Sequence, residues 1–452
     1  MSARITPIRA DASVRPDAPH VVVVGAGFAG LEAAKALMDA PVQVTVVDKN
    51  NYHTFQPLLY EVAMAGLEPD DIAQNVRSVL QGADNVRFRM AAVEQIDTSA
   101  DTVALSTGDR LAYDYLVLAG GAVSNDFGVP GVADHAFPLK EVTGAVRLRN
   151  HVLRQFEAYD QDPERAPEGQ LTFTIVGGGP TGVEMAGALV ELFDTLNRDF
   201  TAFDTRDVAR CVLVEMSDRL LGGYDEEIQA YTAQVLRSRG VEVRTGATVE
   251  EVTSTAVRFA DGPTLPSRTV VWGAGVKANP LAEQIDAERA GGGRLVVSQD
   301  LRVPGLPRVF AVGDVAAIAD GDDYLPQLAQ VAIQSGRHAA AEVRRHVLGV
   351  DPEPFAYTDL GQMATIGRNA AVAEFPTGHT MKGAFAWLVW VFIHIAKLVG
   401  FRNRLSALVN WAYNYFTYSR SARLILDVND PSGAAQQEPR EEDPQPLREV
   451  VG

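Results

Sequence analysis

Two glycine clusters, each followed by a strand that ends in a carboxylate, are the residues here whose types and spacing carry recognisable chemistry. His20-Val21-Val22-Val23-Val24 is an apolar, β-branched run that passes directly into Gly25-Ala26-Gly27-Phe28-Ala29-Gly30 and then into a helical stretch beginning Leu31-Glu32-Ala33-Ala34. In a strand, turn and helix of this kind, one glycine permits the tight turn, one lets the backbone approach a pyrophosphate, and one lets helix and strand pack closely. The helix N-terminus attracts the phosphate charge. The following strand, Val42-Gln43-Val44-Thr45-Val46-Val47, ends at Asp48, placed to bond a ribose hydroxyl.

The unit then recurs. Thr172-Phe173-Thr174-Ile175-Val176 leads into Gly177-Gly178-Gly179-Pro180-Thr181-Gly182 and a helix beginning Val183-Glu184-Met185-Ala186; Arg210-Cys211-Val212-Leu213-Val214 ends at Glu215. A carboxylate there holds the 2′-hydroxyl of NADH and repels the 2′-phosphate of NADPH, so NADH is the expected nucleotide of this second unit. One glycine pattern is a weak signal, and strand-end acids are common on ordinary surfaces. Repetition of the whole strand, turn, helix and acid gives the signal its specificity.

Further strands must position these turns. Tyr115-Leu116-Val117-Leu118-Ala119-Gly120-Gly121 and Thr269-Val270-Val271-Trp272-Gly273-Ala274-Gly275 both end in glycines and read as crossovers close to a cofactor. Arg308-Val309-Phe310-Ala311-Val312-Gly313-Asp314 is an apolar strand ending in Gly-Asp. At 452 residues the chain exceeds what one core usually serves, so two or three domains are expected. A formal net charge of -18 argues against a nucleic-acid partner, since phosphate backbones are bound by basic surfaces. Cys211 is the single cysteine and lies in an apolar strand. It is read as a core thiol in a reducing compartment, unable to form an internal disulfide. No metal site is expected. Segments 1–19 and 428–452 read as disordered tails, the latter rich in Pro, Gln, Glu and Asp.

Two glycine fingerprints and a late Ala-Val-Gly-Asp strand resemble the flavoproteins with two dinucleotide-binding domains, in which an inserted NAD(P)H domain interrupts the FAD domain. The resemblance implies FAD at Gly25, Gly27, Phe28, Ala29, Gly30, Asp48, Lys49, Gly120, Gly313 and Asp314, with Asp314 on the ribityl chain. It implies NADH at Gly177, Gly179, Gly182, Glu215 and Gly275. Within that superfamily three segments look like type II NADH dehydrogenases, the single-subunit NADH:quinone oxidoreductases: Asn51-Tyr52-His53-Thr54-Phe55-Gln56-Pro57-Leu58-Leu59-Tyr60, Ala329-Gln330-Val331-Ala332-Ile333-Gln334, and the aromatic stretch 383–425. One cysteine cannot supply the redox pair that disulfide reductases and sulfide:quinone oxidoreductases need.

The implied reaction stacks nicotinamide on flavin for hydride transfer, a task of positioning, and then delivers two electrons and two protons to a quinone in an apolar slot. Gln330 and Gln334, four apart, share a helix face; in the family the matching glutamines meet the quinone head group, and from spacing alone they are equally exposed amides of an amphipathic helix. Glu184 either relays protons or simply suits its helix N-terminus electrostatically. Lys382 either approaches the flavin or flanks the membrane. His53 reads as a packed or capping histidine in preference to a base.

Segment 383–396 holds no Lys, Arg, Asp or Glu; at ~1.5 Å per residue its helix covers about 21 Å, short of the roughly 30 Å hydrocarbon core. Beyond it, Leu405, Leu408, Val409, Ala412 and Phe416 share one face while Ser406, Asn410, Asn414 and Thr417 share another, an amphipathic helix. Lys397, Arg402, Arg404, Arg420 and Arg423 form a basic corner suited to anionic head groups. The expectation is a monotopic protein on the cytoplasmic face of the cell membrane, a helix pair buried in a dimer interface being the competing use of the same apolar faces, with a homodimer compatible with both. Without a spanning bundle it is not expected to pump protons. The fold class expected is α/β with two Rossmann-like domains: 20–150 for the first part of the FAD domain, 165–285 for NADH, 290–365 for the second FAD part, and 366–427 for a helical membrane-anchoring region. Competing functions are a soluble NADH-dependent flavin reductase serving an iron-sulfur protein or oxygen, and a non-catalytic flavin-binding redox sensor.

Overall fold

The structure, a computed structural model, describes residues 18–399, 401–417, 420 and 422–426. The expected tails lie outside these apart from residues 18 and 19. The first unit runs β1 (His20–Val24), α1 (Phe28–Ala36), β2 (Gln43–Asp48), α2 (Leu59–Ala63), β3 (Val86–Met90) and β4 (Tyr115–Leu118). The second runs α3 (Val142–Gln161), β5 (Thr172–Val176), α4 (Pro180–Leu196), β6 (Arg210–Val214), α5 (Glu226–Ser238), β7 (Val241–Arg244) and β8 (Thr269–Trp272). The chain then returns to the first sheet with β9 (Leu306–Ala311) and α6 (Ala329–Val347). It closes with β10 (Gln362–Thr365), β11 (Ala371–Glu374), β12 (Thr380–Gly383), α7 (Ala384–Lys397) and α8 (Phe401–Thr417).

The two parallel sheets share one strand order. In the first, β9, β4, β1, β2 and β3 lie side by side, with Val22 opposite both Thr45 and Leu116. In the second, β8, β5, β6 and β7 repeat the order, with Ile175 opposite both Leu213 and Val271. Each chain half starts mid-sheet, steps outward twice, and returns on the other side of its first strand. That reversal opens a crevice at the carboxyl ends, between β1 and β4 and between β5 and β8, where α/β sheets bind ligands. Val21 to Val24 and Phe173 to Val176 are buried on both faces because helices cover both, which is why these strands read as continuous apolar runs without alternation.

Helix α3 runs from the expected first FAD segment into the unassigned stretch between 150 and 165, and its Phe156 stacks on Phe173 of β5 at 5.8 Å between centroids and meets Phe193 of α4 at 5.8 Å. The helix therefore belongs to the second core. The two chain crossings between units, Ala122–Ser124 and Val276–Ala278, pair with each other as an antiparallel ribbon. The sheet of β10, β11 and β12 lies on α4, so closely that a Cβ on Gly187 would come within 2.6 Å of the Ile366 carbonyl oxygen. Among the described residues no helix is long and apolar enough to cross a membrane.

Candidate active site

The two glycine turns have the same internal geometry. Gly25 takes φ +102°, and a Cβ on it would lie 2.3 Å from the Ala119 carbonyl oxygen; Gly177 takes φ +110°, with the Gly273 oxygen at 2.5 Å. Only glycine fits such a left-handed turn against a neighbouring backbone. Three residues into each helix, a Cβ on Gly30 would stand 1.9 Å from the Gly25 oxygen and one on Gly182 1.8 Å from the Gly177 oxygen. Over the middle glycines, Gly27 and Gly179, nothing lies within 4 Å. Both open their helices without a side-chain cap, so the first-turn N–H groups of α1, and those of α4 after Pro180, which has none, are left without a side-chain acceptor, as a pyrophosphate site requires.

The strand-end acids also match. Asp48 accepts from the amides of Ala26 (2.7 Å) and Asn50 (2.8 Å). Glu215 accepts from Gly178 (2.5 Å) and Ser217 (2.8 Å). Each carboxylate is thereby locked against its own glycine turn, and each oxygen keeps acceptor capacity for a ribose hydroxyl. Burial pushes Asp48 above the usual carboxylate range. Asp314 is also pushed up by burial, with the Lys140 ammonium 3.9 Å away opposing the shift. Gly313, at φ +67°, packs between Ala29 and Ala332, so the end of β9 meets the starts of α1 and α6. Phe28 is half-buried against His53, whereas Lys49 is exposed and paired with Glu141.

Each crevice is edged by one strand-end acid and one glycine turn. A dinucleotide with its adenosine ribose at Asp48 and its pyrophosphate over Gly27 would extend across the end of β4, at Ala119 and Gly120; one with a ribose at Glu215 and a pyrophosphate over Gly179 would extend across the end of β8, at Gly273 to Gly275. The antiparallel ribbon joins those two ends: Asn125 N–H donates to the Gly275 oxygen and Asn279 N–H to the Gly121 oxygen, both at 3.0 Å, and Asn279 lies 3.5 Å from a Cβ built on Gly120.

The expected catalytic residues come from three elements, α4, α6 and β12. Glu184, on the first turns of α4, is buried, and its carboxylate accepts from the Thr365 amide at 3.4 Å. Burial holds it well above the usual carboxylate range, reinforced by Glu61. Gln334 is held in both directions by Thr358, donating to its oxygen and accepting from its amide at 2.9 Å each; Gln330 is half-buried one turn earlier, towards the start of α6. Lys382 lies on β12, exposed, paired with Glu227 of α5 and 5.7 Å over the Tyr231 ring. His53 is packed, as expected: its Nδ1 bonds the Ala26 carbonyl at 3.0 Å, its ring meets Phe28 edge-on, and burial lowers its pKa.

A buried network that sequence reasoning missed adjoins Glu184. Arg420 bonds Glu61 of α2 (3.2 Å), Glu191 of α4 (2.9 Å) and the Met64 carbonyl (2.8 Å), and Glu191 also pairs with Arg239 at 3.1 Å. Tyr60 is buried beside it, and burial together with Glu61 and Glu184 pushes its pKa well up. No local pattern marked these residues. This arrangement also corrects the basic corner: Arg420 is buried and Arg423 pairs with Asp199 at 2.7 Å, so neither is offered to head groups, while Lys397 and Arg404 are exposed.

The C-terminal helices are amphipathic with their apolar faces outward. On α8, Ser406 donates to Asp71 at 2.5 Å, Asn410 to Asp71 at 2.9 Å, and Asn403 to the carbonyls of Asp70 and Ala73 at 3.1 Å. Leu405, Leu408, Val409 and Ala412 are exposed, and the side chains of Arg402, Asn414, Phe416 and Thr417 lie outside the described residues. On α7, Ala386 and Trp390 are buried while Phe385, Leu388 and Phe392 are 69%, 57% and 73% exposed. A polar stripe turned inward and an apolar stripe turned outward form a face built for an apolar surrounding.

Comparison with known proteins places this geometry. Residues 19–336 match the family model for pyridine nucleotide-disulphide oxidoreductases and residues 360–420 the NDH2 C-terminal domain. The chain is 37% identical over 429 residues to type II NADH:quinone oxidoreductase Ndh of Mycobacterium tuberculosis, covering 91% of each. It is 38% identical over 425 residues to NdhA of the same organism, covering 90% of this chain and 89% of that protein. The structure of NDH2 from Plasmodium falciparum in complex with NADH superposes with TM-score 0.81 at 18% identity, over 90% of this chain and 100% of that one.

Proposed function

The chain belongs to the type II NADH:quinone oxidoreductases, and from that premise we propose that it oxidises NADH and reduces a membrane quinone without pumping protons, as a protein resting on the cytoplasmic face of the cell membrane. The observation that carries this reading is the ribbon linking the flavin end of one nucleotide crevice to the nicotinamide end of the other. FAD, when bound, accepts the hydride and passes on two electrons. Gly25, Gly27, Gly30, Asp48, Gly120, Gly313 and Asp314 hold it, and Phe28 and Ala29 supply the first helical amides. Gly177, Gly179, Gly182, Glu215 and Gly275 hold NADH, and the Glu215 carboxylate disfavours a 2′-phosphate.

For the second half of the reaction, burial and the nearby Glu61 push the Glu184 carboxyl well above the usual carboxylate range, which favours its holding a proton. It is the proton relay of this proposal. Gln330 and Gln334 orient the quinone head group; the Thr358 backbone fixes which way the Gln334 amide points. Lys382, fastened to Glu227 immediately before α7, flanks the membrane face. The outward apolar stripes of α7 and α8 support peripheral membrane binding, and the NADH substrate and lone buried Cys211 support the cytoplasmic side. Homodimer formation completes the proposal, and light scattering of the detergent-solubilised protein tests it.

The deciding experiment is NADH oxidation by purified protein with and without a short-chain quinone. Quinone-dependent turnover is expected. A yellow protein that NADH reduces but quinone does not reoxidise overturns the quinone assignment.

A further inference from the structure

Phe127 is the one aromatic residue among the described non-glycine residues with positive φ, at +51°, and the residue is 62% exposed. An aromatic side chain rarely occupies that region of backbone space, and an exposed one gains little from folding there. Hydrogen bonds hold it in place. The Phe127 amide donates to the Asn125 side chain at 3.0 Å and the Gly128 amide to that of Asp126 at 3.1 Å, while the Asn125 carbonyl accepts from the Trp272 indole at 2.7 Å. The loop is thus bolted to the end of β8, with Phe127 Cζ 3.0 Å from where a Cβ on Gly275 would sit. Gly275 has no side chain to push the ring away.

This is the end of the second crevice, the side of β8 that the nicotinamide half of NADH would cross from a ribose at Glu215 and a pyrophosphate over Gly179. From this we propose that Phe127 is a positioning residue for hydride transfer: its ring covers the nicotinamide riboside of bound NADH and shields it from water. The inference rests on the assignment of the second crevice to NADH. An aromatic ring suits the purpose because it offers a large apolar face that stacks on a heterocycle at small conformational cost.

Stopped-flow reduction of the FAD-loaded enzyme by NADH, with Phe127→Gly, Phe127→Leu and Phe127→Trp, tests it. Glycine removes the ring and relieves the backbone. The expected result is an apparent NADH Kd raised on the order of tenfold in the glycine and leucine variants, with a slower limiting rate of flavin reduction and near-normal values for tryptophan. Reoxidation of dithionite-reduced enzyme by short-chain quinone stays unchanged in all three. If glycine and leucine reduce as the parent does, or tryptophan fails as they do, the role of the ring is refuted. If the parent enzyme is not reduced by NADH at all, the crevice assignment itself fails instead.

Discussion

Replacing Phe385, Leu388 and Phe392 together with serine probes the outward face of α7. The three side chains are 69%, 57% and 73% exposed, whereas Ala386 and Trp390 on the opposite side carry the packing, so the fold tolerates the change. Full burial of such a side chain stabilises by about 2 kcal/mol. With roughly two thirds of each still available to bury, the three contribute about 4 kcal/mol to membrane binding, or about a thousandfold in partitioning. Flotation with phosphatidylcholine and phosphatidylglycerol vesicles at graded lipid concentration measures this. Residual binding through Leu405, Leu408 and Val409 is expected, and turnover with a short-chain quinone in detergent should match the parent. A folded triple variant whose partitioning falls less than threefold refutes the reasoning. Deleting the whole segment from residue 383 is a poorer test, because Ala386, Trp390, Leu398, Ala407 and Ala422 all lie in the second core.

Gly182→Ala puts a methyl group 1.8 Å from the Gly177 oxygen, so NADH reduction should fall at least a hundredfold while flavin absorbance is retained; Gly30→Ala, at 1.9 Å from Gly25, should lose the flavin instead. Because burial raises the folded-state pKa of Glu184 above its ordinary 4.5, the native state holds the proton more tightly than the unfolded chain does. The stability this contributes is full below about pH 4.5 and is lost as pH rises towards the raised value, by up to about 1.4 kcal/mol per pH unit. Glu184→Gln should therefore flatten that part of the urea-denaturation profile and slow flavin reoxidation by quinone without slowing reduction by NADH; parallel profiles would contradict the assignment. Arg420→Met strands Glu61 and takes one partner from Glu191, which keeps Arg239; it should cost about 3 kcal/mol in urea unfolding, with part of the loss recovered in the Arg420→Met, Glu61→Gln double variant.

Local pattern carried most of what identifies this protein. A strand, a glycine turn, a helix and a strand-end acid occupy about thirty consecutive residues, and their constraints are steric and short-range: Gly25 answers Ala119, Gly30 answers Gly25, and Asp48 bonds back to Ala26. The same short-range logic placed His53 as a packed ring and Cys211 as a buried thiol. Amphipathicity was legible in α8 as well, since helical period alone separates Leu405, Leu408 and Val409 from Ser406 and Asn410.

Which stripe faces the protein was not legible, because that depends on a partner surface. Asp71 supplies one that hydrogen-bonds the polar stripe and leaves the leucines outside. Arg420 illustrates the same limit. It read as a surface cation until folding brought it to Glu61, 359 positions away in the chain, where the low dielectric interior makes pairing obligatory. Phe127 had no periodic or compositional mark, and its significance comes from a left-handed backbone pressed against Gly275. The sequence by itself determined the two nucleotide units, their order and the chemistry they serve, since those rest on contacts within a few residues. Tertiary structure alone decided which charges are buried together, which helix face is turned outward, and that Phe127 packs against Gly275, since each of those is a meeting of segments that no local spacing connects.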